Sequence, residues 1–172
     1  MTTYQFRVRL DRQPTESEID VLGACCDDAG LAYGKGGAEL DFDREAATAA
    51  DAIFAAISDI ESQTGLRAVA VDADPLVSVL DIAERTGRTR EAVRQAITGR
   101  RARPFPPPVT GASARHRLWR WSDVAAFYGL DDASLRQAAR AADAANGWLA
   151  LRRSVPELAP SADAVANAVR AA

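Results

Sequence analysis

Hydrophobic and polar positions follow two different periods along the first third of the chain. Apolar residues alternate with polar ones in Tyr4–Leu10 and again in Ala38–Asp43, which is the period of a half-buried strand. Elsewhere they recur at the spacing of an amphipathic helix. The predicted elements are strand Tyr4–Leu10, a helix from the capping box at Thr15 to Gly30, strand Leu31–Tyr33, strand Ala38–Asp43, helix Glu45–Thr64 and strand Leu66–Val71.

The order β-α-β-β-α-β resembles a ferredoxin-like fold and predicts an α+β domain over residues 1–74. In such a sheet we expect the first and third strands to be parallel neighbours and both helices to cover one face. The other face would carry basic residues beside acidic ones. These are Gln5, Arg7 and Arg9 on the first strand and Glu39, Asp41 and Asp43 on the third.

A second pattern, helix–turn–helix, lies between Leu80 and Ile97. Ala83 is small enough for the point where two helices cross, and Gly87 suits a turn that requires a positive φ. Thr89 can cap the second helix through its hydroxyl. We expect Ile82, Val93 and Ala96 to be buried at the crossing.

The residues that follow predict a β-hairpin wing and a closing helix. Prolines keep Phe105–Val109 extended, Thr110–Ser113 contains turn residues, and Arg115–Trp121 has the composition of a returning strand. Ser122 and Asp123 then open a short helix that runs to Tyr128. We expect Trp119, Trp121, Phe127 and Tyr128 to form the core of this domain.

Residues 78–129 therefore resemble the winged helix-turn-helix of the MerR/excisionase-like superfamily. The matching features are Ile82-Ala83, Gly87, Thr89-Arg90, Val93, the proline-flanked wing and Arg120-Trp121-Ser122-Asp123-Val124. The resemblance implies DNA binding by a domain over residues 75–130. Arg88 departs from the pattern, because the position after Gly87 is usually apolar in such motifs.

Charge supports the same interpretation. The segment Arg85–Arg120 contains ten arginines and a single acid, Glu91, so it carries +9 while the rest of the chain carries −12. Affinity for a polyanion grows with the number of phosphates that are neutralised. The alternative is a solvated arginine-rich surface.

Three groups of DNA contacts are predicted. Arg90, Arg94 and Gln95 would read base edges in the major groove. The remaining residues would hold phosphates, and those of the wing would hold the backbone or the minor groove. They are Arg88, Thr89, Thr98, Arg100, Arg101 and Arg103 near the recognition helix, and Arg115, His116 and Arg117 on the wing.

Residues 131–172 are predicted to be a helical C-terminal tail. Leu135, Ala138, Ala142 and Ala145 form one stripe, Asn146-Gly147 is expected to end or kink the helix, and Ser161 could cap a final helix. The tail would serve as a homodimerisation arm or pack on the winged domain. Both alternatives remain open.

The remaining chemistry is sparse. Cys25 and Cys26 are adjacent and indicate buried structural thiols, with no metal-ligand spacing, and His116 is the single histidine. No cofactor, catalytic constellation, signal peptide or membrane span is expected, which favours a cytoplasmic protein.

The sequence therefore predicts a non-enzymatic, sequence-specific double-stranded DNA-binding protein, a bacterial transcriptional regulator that acts as a homodimer. The N-terminal domain would serve dimerisation, partner or effector binding. The alternatives are an excisionase-type architectural factor of a mobile element and an antitoxin or adaptor module for protein interaction.

Overall fold

A computed structural model describes residues 1–99, 103–110, 117–130 and 132–171. The chain divides into two compact units. Met1–Ala73 and Ser134–Ala172 together form the first, here called the sheet unit, and Asp74–Ala133 forms the second, here called the inserted unit. The predicted separate tail is therefore not observed as such, since residues from Ser134 onward belong to the sheet unit.

The sheet unit is a mixed α and β structure built on one four-stranded antiparallel sheet. Its first elements are β1 (Thr2–Leu10), α1 (Glu16–Cys25), β2 (Ala29–Gly34), β3 (Gly37–Ala46), α2 (Ala49–Gln63) and β4 (Ala68–Asp72). After the inserted unit the chain adds a long helix, a short 3-10 helix (Pro156–Leu158) and a final helix. The predicted order of the first six elements is confirmed.

The strand order is β2-β3-β1-β4, so β1 and β3 are neighbours as predicted. The predicted parallel direction was wrong, because β1 pairs with β3 antiparallel. Helix α1 carries the chain over the sheet, so β2 points the same way as β1. The turn from β2 into β3 then reverses the direction once more. Every neighbouring pair in this sheet is therefore antiparallel.

The open face of the sheet has the charge pairing that the sequence predicted. In the register of β1 with β3, Gln5 lies opposite Asp43, Arg7 opposite Asp41 and Arg9 opposite Glu39. The Arg7 guanidinium donates to Asp41 over 2.7 Å. The side chains between them face the other way, and Tyr4, Phe6, Val8 and Leu10 are all buried.

Several element boundaries differ from the prediction. Strand β3 runs on to Ala46 because Thr2 of β1 still pairs there, so α2 begins only after its cap at Thr48. Helix α1 ends at Cys25, and Gly30 lies inside β2 rather than at a helix end.

Arg44 of β3 connects this strand to Asp28, which directly precedes β2, and to helix α2. Its guanidinium donates to both carboxylate oxygens of Asp28, over 2.6 and 2.9 Å, and to Asp59 on α2 over 2.8 Å. The side chain is only 12% exposed, and its charge lies over the ring of Phe42. The Arg44 hydrogen bonds lower the pKa of Asp28 below its usual value.

The two adjacent cysteines differ in their burial. Cys26 is 2% exposed, and this burial raises the pKa of its thiol to about 12. Cys25 is partly exposed, and the two sulfur atoms lie 3.6 Å apart as free thiols. These positions agree with structural cysteines.

The C-terminal helices complete the core of the sheet unit. Helix α6 (Ala133–Ser154) buries a row of small residues, and α7 (Ala162–Ala171) packs beside α2 with Ala166 buried. The row consists of Ala138, Ala141, Ala142 and Ala145. Alanine is too short for a strong isolated coiled coil. Helix α6 belongs to the core of the sheet unit, and the two predicted roles of the tail, as a homodimerisation arm or as a segment packed on the winged domain, stay predictions.

Asn146 and Gly147 lie inside α6, so the predicted end or kink is absent from this continuous helix. The Asn146 amide instead reaches the backbone of Val71 on the edge strand β4. Farther along α6, Arg152 makes a bidentate ion pair with Glu61, and each of the two N–H···O distances is 2.7 Å. Ser161 caps α7 as predicted, since its hydroxyl accepts from the amide of Ala164.

The inserted unit has small helices and one two-stranded sheet. Its elements are β5 (Leu76–Val77), α3 (Val79–Thr86), α4 (Arg90–Thr98), β6 (Trp119–Arg120) and α5 (Trp121–Tyr128). Strand β5 was not predicted, because two residues are too few to show a period. It pairs antiparallel with β6, so the residues directly before α3 belong to this unit's sheet.

Within the described residues, no helix combines the length and the apolar character that crossing a membrane requires.

Candidate nucleic-acid interface

Helices α3 and α4 are joined by a tight left-handed turn at Gly87. Its φ of 63° and ψ of 23° are the conformation that glycine adopts without strain. The amide of Gly87 donates to Glu84 and that of Arg88 donates to Ala83, which is the hydrogen-bond pattern of a Schellman motif. The predicted positive-φ turn is confirmed.

Both helices begin with a side-chain cap. Ser78 and Asp81 form a reciprocal capping box at α3, and the Ser78 amide hydrogen bond lowers the pKa of Asp81. Thr89 accepts from the amide of Ala92 at the start of α4, as predicted. Because the capping uses the Thr89 hydroxyl as an acceptor, its oxygen is already engaged on the helix side.

One side of α4 is buried and the other is exposed. Val93 is fully buried and Ala96 is 3% exposed, and both lie at the crossing with α3, where Ile82 is also fully buried. Successive helical residues are rotated by about 100°, so the exposed polar positions fall within an arc of about 140° on the opposite side. They are Arg90, Glu91, Arg94, Gln95 and Thr98.

Two of these exposed side chains contact one another. Glu91 and Arg94 approach to 3.9 Å, and both are more than 60% exposed (68% and 63%). An ion pair with this geometry at the surface is weak and leaves the guanidinium free to exchange partners. Thr98 donates its hydroxyl to the carbonyl of Arg94 inside the helix.

Two arginines at the end of α3 lie over aromatic rings of α5. The Arg85 guanidinium carbon is 5.0 Å from the centre of the Trp121 ring, and that of Arg88 is 4.7 Å from the centre of the Tyr128 ring. At the position after Gly87, where an apolar residue is usual, Arg88 therefore still contacts an apolar surface, the ring of Tyr128.

Aromatic residues form the core beneath these helices. Phe105 contacts the rings of Trp119, Phe127 and Tyr128, with ring centres 5.9, 4.8 and 6.2 Å away. Trp119 is 1% exposed, and its indole nitrogen donates to the carbonyl of Pro106 over 3.1 Å. The prediction of an aromatic core is confirmed, and the proline-rich segment contributes to it.

Asp74 caps helix α5 from a distance in the sequence. Its carboxylate is 7% exposed and accepts from both the amide and the hydroxyl of Ser122, over 2.9 and 2.6 Å. The Nη1 atom of Arg120 lies 3.9 Å from Oδ2 of Asp74. The sequence placed the start of this helix at Ser122 and Asp123 and did not predict Asp74 as the capping residue, because Asp74 and Ser122 are 48 residues apart in the chain.

The base of the predicted wing is present. Thr110 bridges Leu118 in antiparallel pairing, and the amide of Val109 donates to the carbonyl of Leu118 over 2.8 Å. The tip falls outside the described residues, as do the predicted contacts Arg100, Arg101, Arg115 and His116. Arg117 lies at the described end of the hairpin and is exposed.

Arginine residues flank α4 on both sides in the sequence. Arg103, a predicted phosphate contact, donates to the carbonyl of Ala126 over 3.2 Å and so helps to close the end of α5. Arg85 was not among the predicted contacts, although its place in the last turn of α3 could have suggested it. Among the described residues of this unit, the exposed arginines are Arg85, Arg88, Arg90, Arg94, Arg103 and Arg117.

Among the described residues, no group of three or more histidine, cysteine, aspartate or glutamate side chains could hold a metal ion. Comparisons with protein-family models, with curated proteins and with solved structures found no match to this chain.

Proposed function

We propose that the inserted unit is a winged helix-turn-helix that binds double-stranded DNA with sequence preference. Helix α4 would enter the major groove, where Arg90, Arg94 and Gln95 would meet base edges. One observation carries the proposal: α4 buries Val93 and Ala96 on one side and presents an unbroken polar arc on the other. A recognition helix needs a buried side that holds it on its domain and an exposed polar side that contacts DNA.

The distribution of charge supports the same proposal. Ten arginines fall between Arg85 and Arg120, and the rest of the chain is acidic. Two of those that the structure describes, Arg90 and Arg94, are exposed one helical turn apart on α4. A solvated surface would not require these charges to coincide with the exposed side of one helix.

In this proposal the protein is a bacterial, cytoplasmic transcriptional regulator without catalytic activity. The sheet unit would be a ferredoxin-like domain for dimerisation or for a partner or effector. Its strand order and all-antiparallel directions support that fold. A single inserted unit makes few base contacts, so useful specificity requires two copies on a repeated site.

The test starts with selection of target sequences from a random duplex library by the purified full chain. Binding to the selected site and to a scrambled site is then measured for Arg94→Ala, for Arg101→Ala and for the control Arg140→Ala on α6. We expect Arg94→Ala to cost about 1–3 kcal/mol on the selected site and to relax preference at one base pair. Arg101→Ala should weaken both sites alike, and Arg140→Ala should change neither.

A selection that enriches no sequence, together with affinity for duplex only at low salt, would overturn the proposal. An equal loss on both sites for Arg94→Ala would remove this residue from base recognition. Gel shifts with the selected site at permuted positions distinguish a regulator from an architectural factor, because only a bend changes mobility with position.

A further inference from the structure

We infer that Arg85 and Arg88 form a two-point phosphate clamp for the DNA backbone, held in position by the rings of Trp121 and Tyr128. This inference rests on the proposed function and adds Arg85 and the two aromatic residues to it. Arg85 and Arg88 would bind phosphodiesters, and the aromatic residues would be positioning residues that act through them.

The two arginines share an arrangement that no other described arginine of this unit shows. Arg85 lies over Trp121 at 5.0 Å and Arg88 lies over Tyr128 at 4.7 Å. Trp121 and Tyr128 are seven residues apart on α5, so they lie on the same side of that helix about 10 Å apart along its axis. The two rings that carry the guanidiniums are therefore about two helical turns apart along α5.

Both guanidiniums lack a carboxylate partner among the residues that the structure describes. Among the described residues, neither guanidinium forms an ion pair or a hydrogen bond with a carboxylate, and both side chains are exposed. Arg44 in the sheet unit is the contrast, since it also lies over a ring but spends its donors on Asp28 and Asp59. An arginine of purely structural role would be expected to resemble Arg44.

Stacking on a ring suits phosphate binding. A guanidinium held over an aromatic face uses that face rather than its N–H donors for the contact, so the planar fork of donors at its edge stays available for a phosphate. The ring also restricts the side chain before binding, so less rotational freedom is lost when the phosphate arrives.

The position of the pair relative to α4 completes the argument. Arg88 directly precedes Thr89, the cap of α4. The backbone amide of Arg88 donates a hydrogen bond to the carbonyl of Ala83, which fixes its position. Arg85 lies in the last turn of α3. In a helix-turn-helix the first helix crosses the DNA backbone while the second enters the groove. Cations at this turn would therefore face phosphates rather than bases.

The experiment measures affinity for a short random-sequence duplex as a function of salt, with the full chain and its variants. Phosphate contacts are independent of sequence, so the operator need not be known. Each phosphate contact that is lost lowers the slope of log affinity against log salt by about one. The variants are Arg85→Gln, Arg88→Met and their combination, with Arg153→Gln on α6 as the matched charge control.

We expect each single variant to reduce the slope by about one and the pair by about two, while Arg153→Gln leaves it unchanged. Arg88→Met keeps the apolar stem over Tyr128, so a loss of slope reports charge rather than packing. If Arg85→Gln and Arg88→Met both retain the wild-type slope while the wild type binds duplex, the clamp is refuted and the proposed function stands. A wild type that binds no duplex refutes both.

The positioning role has its own readout. Tyr128→Phe keeps the ring and should retain wild-type affinity, whereas Tyr128→Leu should weaken binding as much as Arg88→Met. Tyr128→Leu combined with Arg88→Met should be no weaker than either alone, because both remove the same contact. Additive losses would refute the positioning role. If Tyr128→Leu does not fold, Trp121→Phe and Trp121→Leu, each with and without Arg85→Gln, provide the same comparison.

Discussion

The side-chain amide of Asn146 makes two hydrogen bonds with the backbone of one residue, Val71. Its Nδ2 donates to the Val71 carbonyl and its Oδ1 accepts from the Val71 amide, both over 2.8 Å. Val71 lies in β4, which is an edge strand of the sheet. The amide therefore occupies hydrogen-bonding positions that another strand would otherwise take, and it protects this part of the edge from further pairing.

Replacement of Asn146 by alanine should expose this edge. Two backbone groups lose their partners, and we expect the sheet unit to lose about 2 kcal/mol of unfolding free energy. Hydrogen exchange of the Val71 amide should accelerate by roughly thirtyfold. The control is Arg140→Ala, an exposed change on the same helix. Unchanged protection of Val71 in Asn146→Ala would contradict the assigned role.

Gly147 offers a stabilising substitution. It lies inside α6, and a Cβ added there meets no atom within 4 Å. Alanine lowers the conformational entropy of the unfolded chain without strain at such a site, so Gly147→Ala should raise stability by about 0.5–1 kcal/mol. Thermal unfolding followed by circular dichroism measures the shift. A lower melting temperature would mean that this helix is bent or interrupted in solution.

Two glycines of the inserted unit should behave in the opposite way. Gly87→Ala has space for a Cβ but forces alanine into the left-handed region, at a cost of about 1 kcal/mol. Gly99→Ala should cost more, because its Cβ would lie 2.6 Å from the carbonyl oxygen of Gln95. Exchange protection of the α4 amides ranks the two variants, and the reverse order would show that the chain leaves α4 by another path.

The distant cap of α5 can be separated from an ordinary surface acid on the same helix. Asp74→Ala leaves the buried Ser122 amide and hydroxyl without their acceptor, so we expect a loss of about 3 kcal/mol in the inserted unit. Asp123→Ala, an exposed change in the first turn of α5, should cost less than about 1 kcal/mol. Unfolding monitored by the indole proton of Trp119 compares them, and equal losses would exclude Asp74 as the cap.

The Asp28–Arg44 pair predicts how the stability of the sheet unit depends on pH. The pKa of Asp28 is lowered in the folded protein by the hydrogen bonds from Arg44, so the unfolded state takes up this proton first as the pH falls. The stabilisation is fully present above the ordinary carboxyl pKa near 3.8 and is lost as the pH falls through the lower, folded value.

Asp28→Asn removes this titrating group. At neutral pH it should reduce stability by about 2 kcal/mol, since a charge-assisted pair becomes a neutral one. Its stability should then fall less steeply than that of the wild type between neutral and acid pH. Urea unfolding at a series of pH values measures both, and parallel curves for the two proteins would show that Asp28 does not contribute.

The sequence predicted what depends on local chemistry. Alternation identified β1 and β3, and glycine with threonine located the turn before α4. These two features depend on residues close together in the sequence, where periodicity and capping rules apply directly. The neighbouring of β1 and β3 followed from the predicted order of elements, and the opposite charges on the two strands agreed with it.

Other features depend on partners far away in the chain. Nothing near Asn146 indicates that its amide will bond Val71, so an Asn-Gly pair was interpreted as a helix end. Asp74 finds Ser122 only after the intervening residues have folded. The direction of β3 followed from the connections between strands rather than from any property of its own sequence.

The division of the chain into two units affects how the protein folds during synthesis. The inserted unit interrupts the sheet unit between Ala73 and Ser134, so a ribosome releases β1 to β4 long before Trp148 and the alanines of α6 that bury their apolar surface. Residues 74–133 are synthesised before α6 and can fold while that apolar surface is still exposed to water. A chain truncated after residue 133 would therefore contain the complete inserted unit joined to a sheet unit that lacks α6 and α7, and its aggregation would arise from the N-terminal residues rather than from the cut end.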